Sequence, residues 1–375
     1  MVTTTRLTEC TASALYVSLE LGSTKWVVVS TSGLGRRVRR ATVRAGDYVG
    51  LRTELERAGS RFRVAVGAPI YRCYEAGRDG FWLHRQLTRD GVQNLVVDSA
   101  SIRIQRRRTV KTDRLDAEQL VAMLIRYIAG DRRVWSVVHV PSPEVEDRRQ
   151  LNRELDTVKA DRTRIRTRIG SLLVTHGIVG QRCAALVGAL RRLRTGDGRP
   201  LGPGLQARLA RECAHLAQVE QRLQQLIAVR RQQMAEGTDA ISERARRLLT
   251  VRGIGEAGAE TLSAELFGAR TFQNGRQVGA VVGLVPTPYR SDQQVYEQGH
   301  SRAGRGPLRG LMTQLAWGWL RWQRESALTH WFQTRFAKGP RLRRIGIVAV
   351  ARKLVIALWR YVEYGVIPEG ATLKG

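Results

Sequence analysis

The apolar positions change their period twice along the chain. Residues 15–21, LYVSLEL, alternate strictly: Leu15, Val17, Leu19 and Leu21 share one face, Tyr16, Ser18 and Glu20 the other. A period of two predicts a half-buried strand. GSTK turns the chain, WVVVST returns as a second strand, and RRVRRATVRA reads as a third, edge strand with exposed arginines. DYVGLRTELERAG then takes helical spacing and ends at glycine. FRVAVGAPI (62–70) reads as a buried strand, GRDGFWLHRQL as a helix, NLVVDS (94–99) as a further strand and 116–127 as a helix with Leu120, Val121, Leu124 and Ile125 apolar. Three leading strands followed by alternating helices and strands is the order of a ribonuclease H-like sheet, so an α/β domain is expected over residues 1–140.

The middle of the chain has a different beat. Leu151, Leu155, Val158, Ile165, Ile169 and Leu172 step by threes, fours and sevens, and Leu209, Leu216, Leu223 and Leu226 continue it. RTGDGRPLGPG (194–204) interrupts the two runs. Two long helices joined by that turn predict an antiparallel coiled-coil hairpin over 141–240. Arginines 162, 164, 166 and 168 on its polar positions suit either a solvated face or a nucleic-acid stalk. Residues 241–375 read as mainly α. Within them VRGIGEAGAETL fits a helix-hairpin-helix, whose glycines would let backbone N–H groups approach a phosphate, with arginines 244, 246 and 247 just before it.

Charge narrows the class of partner. The 375 residues carry a formal charge of +30, from 63 Lys plus Arg against 33 Asp plus Glu; six of the 63 are lysine and 57 arginine. Such an excess points to a polyanion, first of all nucleic acid. A GC-rich genome would also favour arginine codons, but it does not account for the excess of charge. Cys10, Cys73, Cys183 and Cys213 show neither disulfide nor zinc spacing. No uninterrupted apolar run reaches membrane-spanning length, since Arg352 and Lys353 break IGIVAVARKLVIALW. A cytoplasmic, nucleoid-associated protein is expected.

In this basic chain RRRTVKTDRLDAEQL (106–120) sets Asp113 and Asp116 beside an arginine cluster, on one helical face. Glu75 follows the strand expected at 62–70, and Glu20 lies on the polar face of the first strand. The topology therefore sends four carboxylates towards one end of a single sheet. Clustered carboxylates repel unless cations neutralise them. Two Mg²⁺ ions roughly 3.5–4 Å apart would serve phosphodiester chemistry. The plainer alternative is a capping Asp at a helix start and a loop glutamate.

At these residues the chain resembles the insertion-sequence transposases related to the Piv/MooV DNA invertase. The resemblance runs through YEAGRDGFWLHRQL, RRRTVKTDRLDAEQLVAML, HVPSPEVEDRRQLNRE, DRTRIRTRIGSLL, LLTVRGIGEAGAETLSAEL and FQNGRQVGAVVGLVP, essentially the whole length. It implies a RuvC-like domain with a DEDD carboxylate set, a coiled coil and a C-terminal transposase domain. It also implies Mg²⁺, a structured bridge RNA that pairs with target and donor DNA, and a serine nucleophile that links covalently to DNA. In SDQQVYEQGHSRAGRGPLR the landmarks Gly299, Ser301, Arg302, Gly304, Leu308 and Arg309 fall in register, which puts that serine at Ser291, with Ser301 in reserve. One departure stands out: the usual LDL is LEL here, so Glu20 replaces an aspartate and shifts the carboxylate by about one bond length.

The expected function is a serine recombinase that moves an insertion sequence. Because recombination must hold four DNA ends, a homo-oligomer, dimer or tetramer, is expected. The alternatives are a RuvC-type structure-specific endonuclease without a covalent serine intermediate, and a nucleic-acid-binding protein that has lost its chemistry.

Overall fold

A computed structural model describes residues 14–65, 67–102, 113–180, 183–268, 270–291, 294–300, 304 and 306–374, with no side chains for 113–116, 183–185 and 286–300. The chain divides into two compact units, 1–140 and 141–375.

The first unit is a five-stranded mixed sheet. Strands β1 (Leu15–Leu21), β2 (Lys25–Thr31) and β3 (Val38–Arg44) form an antiparallel meander. Helix α1 (Tyr48–Arg61) leads to β4 (Ile70–Glu75), α2 (Trp82–Arg89) to β5 (Gln93–Val97), and α3 (Asp113–Ile128) follows. β4 and β5 are parallel to β1, and the spatial order is β3-β2-β1-β4-β5. Leu15, Val17 and Leu19 face Leu51, Leu55, Leu83 and Leu87 of α1 and α2. Tyr16, Val29, Cys73 and Val97 face Ala117, Leu120 and Leu124 of α3.

Two expectations are corrected here. β1 is not half-buried: it is the central strand, covered by helices on both faces, and Tyr16 and Ser18 are as buried as Val17. Tyr16 stacks on Tyr71 at 5.5 Å, and Ser18 Oγ donates to Ala117 O at 2.5 Å, which satisfies that buried hydroxyl. The fourth strand is not residues 62–70, where Gly67 takes φ +82° and Pro69 cannot donate; it begins where that stretch ends.

The second unit contains two long helices, α4 (Pro143–Val174) and α6 (Pro203–Glu236), with the short α5 (Cys183–Ala189) between them rather than the single turn expected. Ser142 caps α4 by accepting from Val145 N, with Pro143 in the first turn. Arg148 donates to Gln233 near one end of the pair and Arg168 to Glu212 towards the other, so the helices run antiparallel. Leu155, Val158 and Leu223 bury one seam, and Ile165, Ile169, Leu209 and Leu216 its continuation.

The rest of this unit is a helical body made of α7 (Ala240–Leu249), α8 (Glu256–Leu262) with a π-helical turn at Ser263–Phe267, α9 (Gly275–Val282), the hairpin β6 (Pro286–Ser291) and β7 (Gln294–His300), α10 (Gly306–Trp322), α11 (Ala327–Phe336) and α12 (Pro340–Tyr364). Val350, Ala351, Leu354, Val355 and Leu358 make α12 the spine of its core. Among the described residues, no helix is long and apolar enough to cross a membrane.

Candidate functional site

The register of the sheet brings two of the predicted acids together. In the parallel pair β1–β4, Val17 lies opposite Arg72 and Leu19 opposite Tyr74. The same offset sets Glu20 level with Glu75, on backbones about 4.8 Å apart. Level residues of neighbouring strands share a face. Glu75 is the last residue of β4, opposite Val97 of β5, and Val97 packs under α3. Both acids therefore stand at the C-terminal ends of parallel strands, on the α3 face. Glu75 lies on the strand itself, not in a loop after it.

Helix α3 carries the other pair. Its first residue is Asp113, and Asp116 completes its first turn. One residue later, Ala117 accepts the Ser18 hydroxyl. Ser18 is two residues before Glu20, on the same face of β1. Next to this contact, Arg40 of β3 donates to Glu118 at 2.5 Å. The backbone thus seats the first turn of α3 on the face that bears Glu20 and Glu75. The side chains of Asp113 and Asp116 lie outside the described residues. Among the described residues there is no group of three or more His, Cys, Asp or Glu side chains that could hold a metal ion.

Ser291 ends β6 and pairs with Gln294, so it sits at the turn of the β6–β7 hairpin; its side chain, like all of Ser301, lies outside the described residues. The base of that hairpin is tightly built. Gly283 adopts φ +72°, and a Cβ on Gly304 would meet Gly283 N at 2.1 Å, so neither glycine can carry a side chain. Arg309 borders this contact, and its buried Nη1 makes no hydrogen bond among the described residues. Two of the landmark positions that locate Ser291, Gly304 and Arg309, therefore meet at one place.

The arginines expected to touch DNA before the helix-hairpin-helix are otherwise engaged. Arg244 pairs with Glu363 at 3.2 Å, Arg246 donates to the carbonyls of Met234 and Gly237 at the end of α6, and Arg247 donates to Val362 O. On the long helices Arg166 pairs with Glu220 and Arg168 with Glu212. These exposed pairs contribute about 0–1 kcal/mol each. Sequence reading counted these charges without seeing their partners. It also passed over Trp322, an exposed tryptophan between Arg321 and Gln323, although WLRWQR (319–324) combines aromatic and cationic residues.

Comparison with known proteins gives the family. Residues 245–350 match the model of the transposase IS116/IS110/IS902 family. The protein y4rJ of Sinorhizobium fredii, which is named as a transposase, is 39% identical over 96% of this chain and 95% of its own. The transposase for insertion sequence element IS1328 of Yersinia enterocolitica is 27% identical over 55% of this chain and 58% of its own.

Proposed function

Since the chain belongs to the IS116/IS110/IS902 family of transposases, enzymes that cut and rejoin DNA to move an insertion sequence, we propose that its first unit is a RuvC-like, ribonuclease H-type catalytic domain and that Ser291 is its partner nucleophile. The strand order β3-β2-β1-β4-β5, with β4 and β5 parallel to β1, supports the fold reading. The observation that carries the site reading is the level placement of Glu20 and Glu75 beside the first turn of α3.

The donor set fits Mg²⁺. All four groups are carboxylates, hard oxygen ligands on rigid elements, and Glu20 and Glu75 start on neighbouring strands of one face. Glu20, Glu75, Asp113 and Asp116 would hold the ion or ion pair. Bound there, Mg²⁺ supplies charge neutralisation at the phosphate and a more acidic attacking group. Arginines of this basic chain would position the phosphodiester.

Ser291 Oγ attacks a backbone phosphorus. The Oγ–P bond forms as the bond to one sugar oxygen breaks; the serine proton passes to solvent, and the departing oxygen leaves as a hydroxyl. The serine–DNA ester keeps a phosphodiester's worth of bond energy, so a hydroxyl from a second strand can reverse the step and rejoin. The +30 charge suits DNA and RNA alike, and the family resemblance implies a structured bridge RNA as a further partner. The long α4–α6 pair is read as a coiled coil that spaces subunits of a dimer or tetramer.

Trapping tests this. The full chain, with its insertion-sequence DNA ends, co-purified RNA and Mg²⁺, should give a denaturation-resistant protein–DNA adduct that vanishes in Ser291→Ala and persists in Ser301→Ala. Free nicked ends with no adduct would instead identify a RuvC-type endonuclease.

A further inference from the structure

We propose that Trp322 is the stacking platform for one unpaired nucleobase, in a pocket formed by the hairpin after α7 and the segment 372–374. The proposal rests on the chain handling nucleic acid. It adds a binding site built from residues other than the serine and the carboxylates.

A cavity of about 450 Å³ is lined by Arg252, Gly253, Trp322, Thr372, Leu373 and Lys374. Its walls are fixed by one buried amide. Gln323, 1% exposed, donates from Nε2 to Arg252 O at 2.7 Å and to Thr372 O at 2.9 Å, and accepts from Thr372 N at 2.7 Å. A bridge between Val251 and Leu373 continues the join. Lys374 ties down the other side: its Nζ donates to Leu249 O at 2.8 Å and to Ile254 O at 3.0 Å. Gly253, at φ +91°, brings the hairpin so close that a Cβ there would lie 3.1 Å from Trp322 Cβ.

On this rigid frame the indole of Trp322 is left 47% exposed. Two guanidiniums lie over its ring, Arg321 at 5.2 Å and Arg252 at 5.9 Å from the centroid. Neither shows an ion pair among the described residues. Lys374 Nζ has two of its three N–H donors on carbonyls and keeps its charge, so it adds to the positive field of the two arginines.

A half-exposed indole with two guanidiniums that show no ion pair among the described residues matches a nucleotide: a base can displace a guanidinium to stack on the ring, and the displaced cation can meet the phosphate. The volume lies in the small-ligand range of about 300–1,000 Å³, suited to one base with its sugar. A duplex hides its base faces, so the occupant is a nucleotide in a single strand, bulge or end. DNA and RNA share that chemistry.

The test uses the full chain and a short single-stranded oligonucleotide carrying one 2-aminopurine, as DNA and as RNA, with the matching duplex as control. Stacking on Trp322 should quench the 2-aminopurine. Trp322→Ala should lose the quench and weaken single-strand binding roughly ten-fold or more, leaving duplex binding unchanged. Trp322→Phe should retain most of both. Trp322→Leu, which keeps apolar bulk without a π-face, should fail like Ala and secures the result if Ala lowers the melting temperature. Whichever of DNA and RNA binds more tightly identifies the strand. Single-strand binding that survives Trp322→Leu, or that falls in parallel with duplex binding, overturns the proposal. The readout is base stacking without strand cleavage, so this result stands apart from the adduct experiment.

Discussion

Arg148 Nε lies 3.2 Å from Oε1 of Glu260, whose carboxylate is only 1% exposed. The pair joins the base of α4 to α8. Arg148 also donates to Gln233 and Ser242, and its neighbour Arg149 reaches Ala264 O and pairs with Glu265 in the π-helical turn. The long helix pair is thus fastened to the helical body by a buried polar joint. Truncating one member leaves the other as an uncompensated buried charge. Arg148→Ala should cost about 3–5 kcal/mol, read as a lowered urea midpoint. A loss below about 1 kcal/mol would show that the joint is not load-sharing.

The same carboxyl should report on pH. Burial raises the Glu260 pKa above its ordinary value, with Arg148 opposing and Asp239 adding to the rise. The folded state therefore holds this proton more tightly than the unfolded state. Its contribution is complete below the unfolded pKa and is lost as pH climbs through the raised folded value. Urea midpoints of wild type should fall relative to Glu260→Gln over that interval. A difference that stays constant from pH 4 to pH 8 would contradict the burial argument.

Arg72 presents the opposite situation. It sits on β4 with 0% exposure, and among the described residues none of its three nitrogens makes a hydrogen bond. Burial pushes its pKa down to about 9, with Tyr48 and Asp90 pulling it back up. An apolar side chain of similar length should relieve that desolvation. Arg72→Met is expected to leave stability unchanged or raise it by roughly 1–4 kcal/mol, visible as a higher Tm. A drop in Tm would mean that the guanidinium satisfies a need the static contacts do not show.

Arg72 also explains where sequence reading failed. The order of strands and helices in the first unit was legible because period two and period 3.6 differ plainly there. The fourth strand was misplaced because FRVAVGAPI looks apolar and β-branched, whereas the true strand, IYRCYE, carries a charged residue on an inward face. That error set Glu75 after its strand: the acids were expected at one end of the sheet, but only when β4 runs to Glu75 does its register set that acid level with Glu20. The double burial of β1 was invisible for a similar reason, since Tyr16 and Ser18 are polar by type and apolar by position. The short helix between α4 and α6 carries no strong periodicity, and the arginines gave their charge but not their partners.

The Ser18–Ala117 contact should matter more to chemistry than to stability. Ser18→Ala removes one donor at 2.5 Å from the α3 carbonyl and should cost about 0.5–1.5 kcal/mol. Because it anchors the turn that carries Asp113 and Asp116, strand cleavage should fall by more than the loss of folded protein accounts for. Cleavage that simply tracks the folded fraction would remove the positioning role.

The most direct measurement is Mn²⁺ binding, followed by electron paramagnetic resonance, to the full chain with its insertion-sequence DNA. Wild type should take up Mn²⁺ in a site weakened at least ten-fold by Glu75→Gln and by the double change Asp113→Asn, Asp116→Asn, with circular dichroism unchanged. Equal Mn²⁺ affinity in all three proteins would contradict the account, whatever the fate of Ser291.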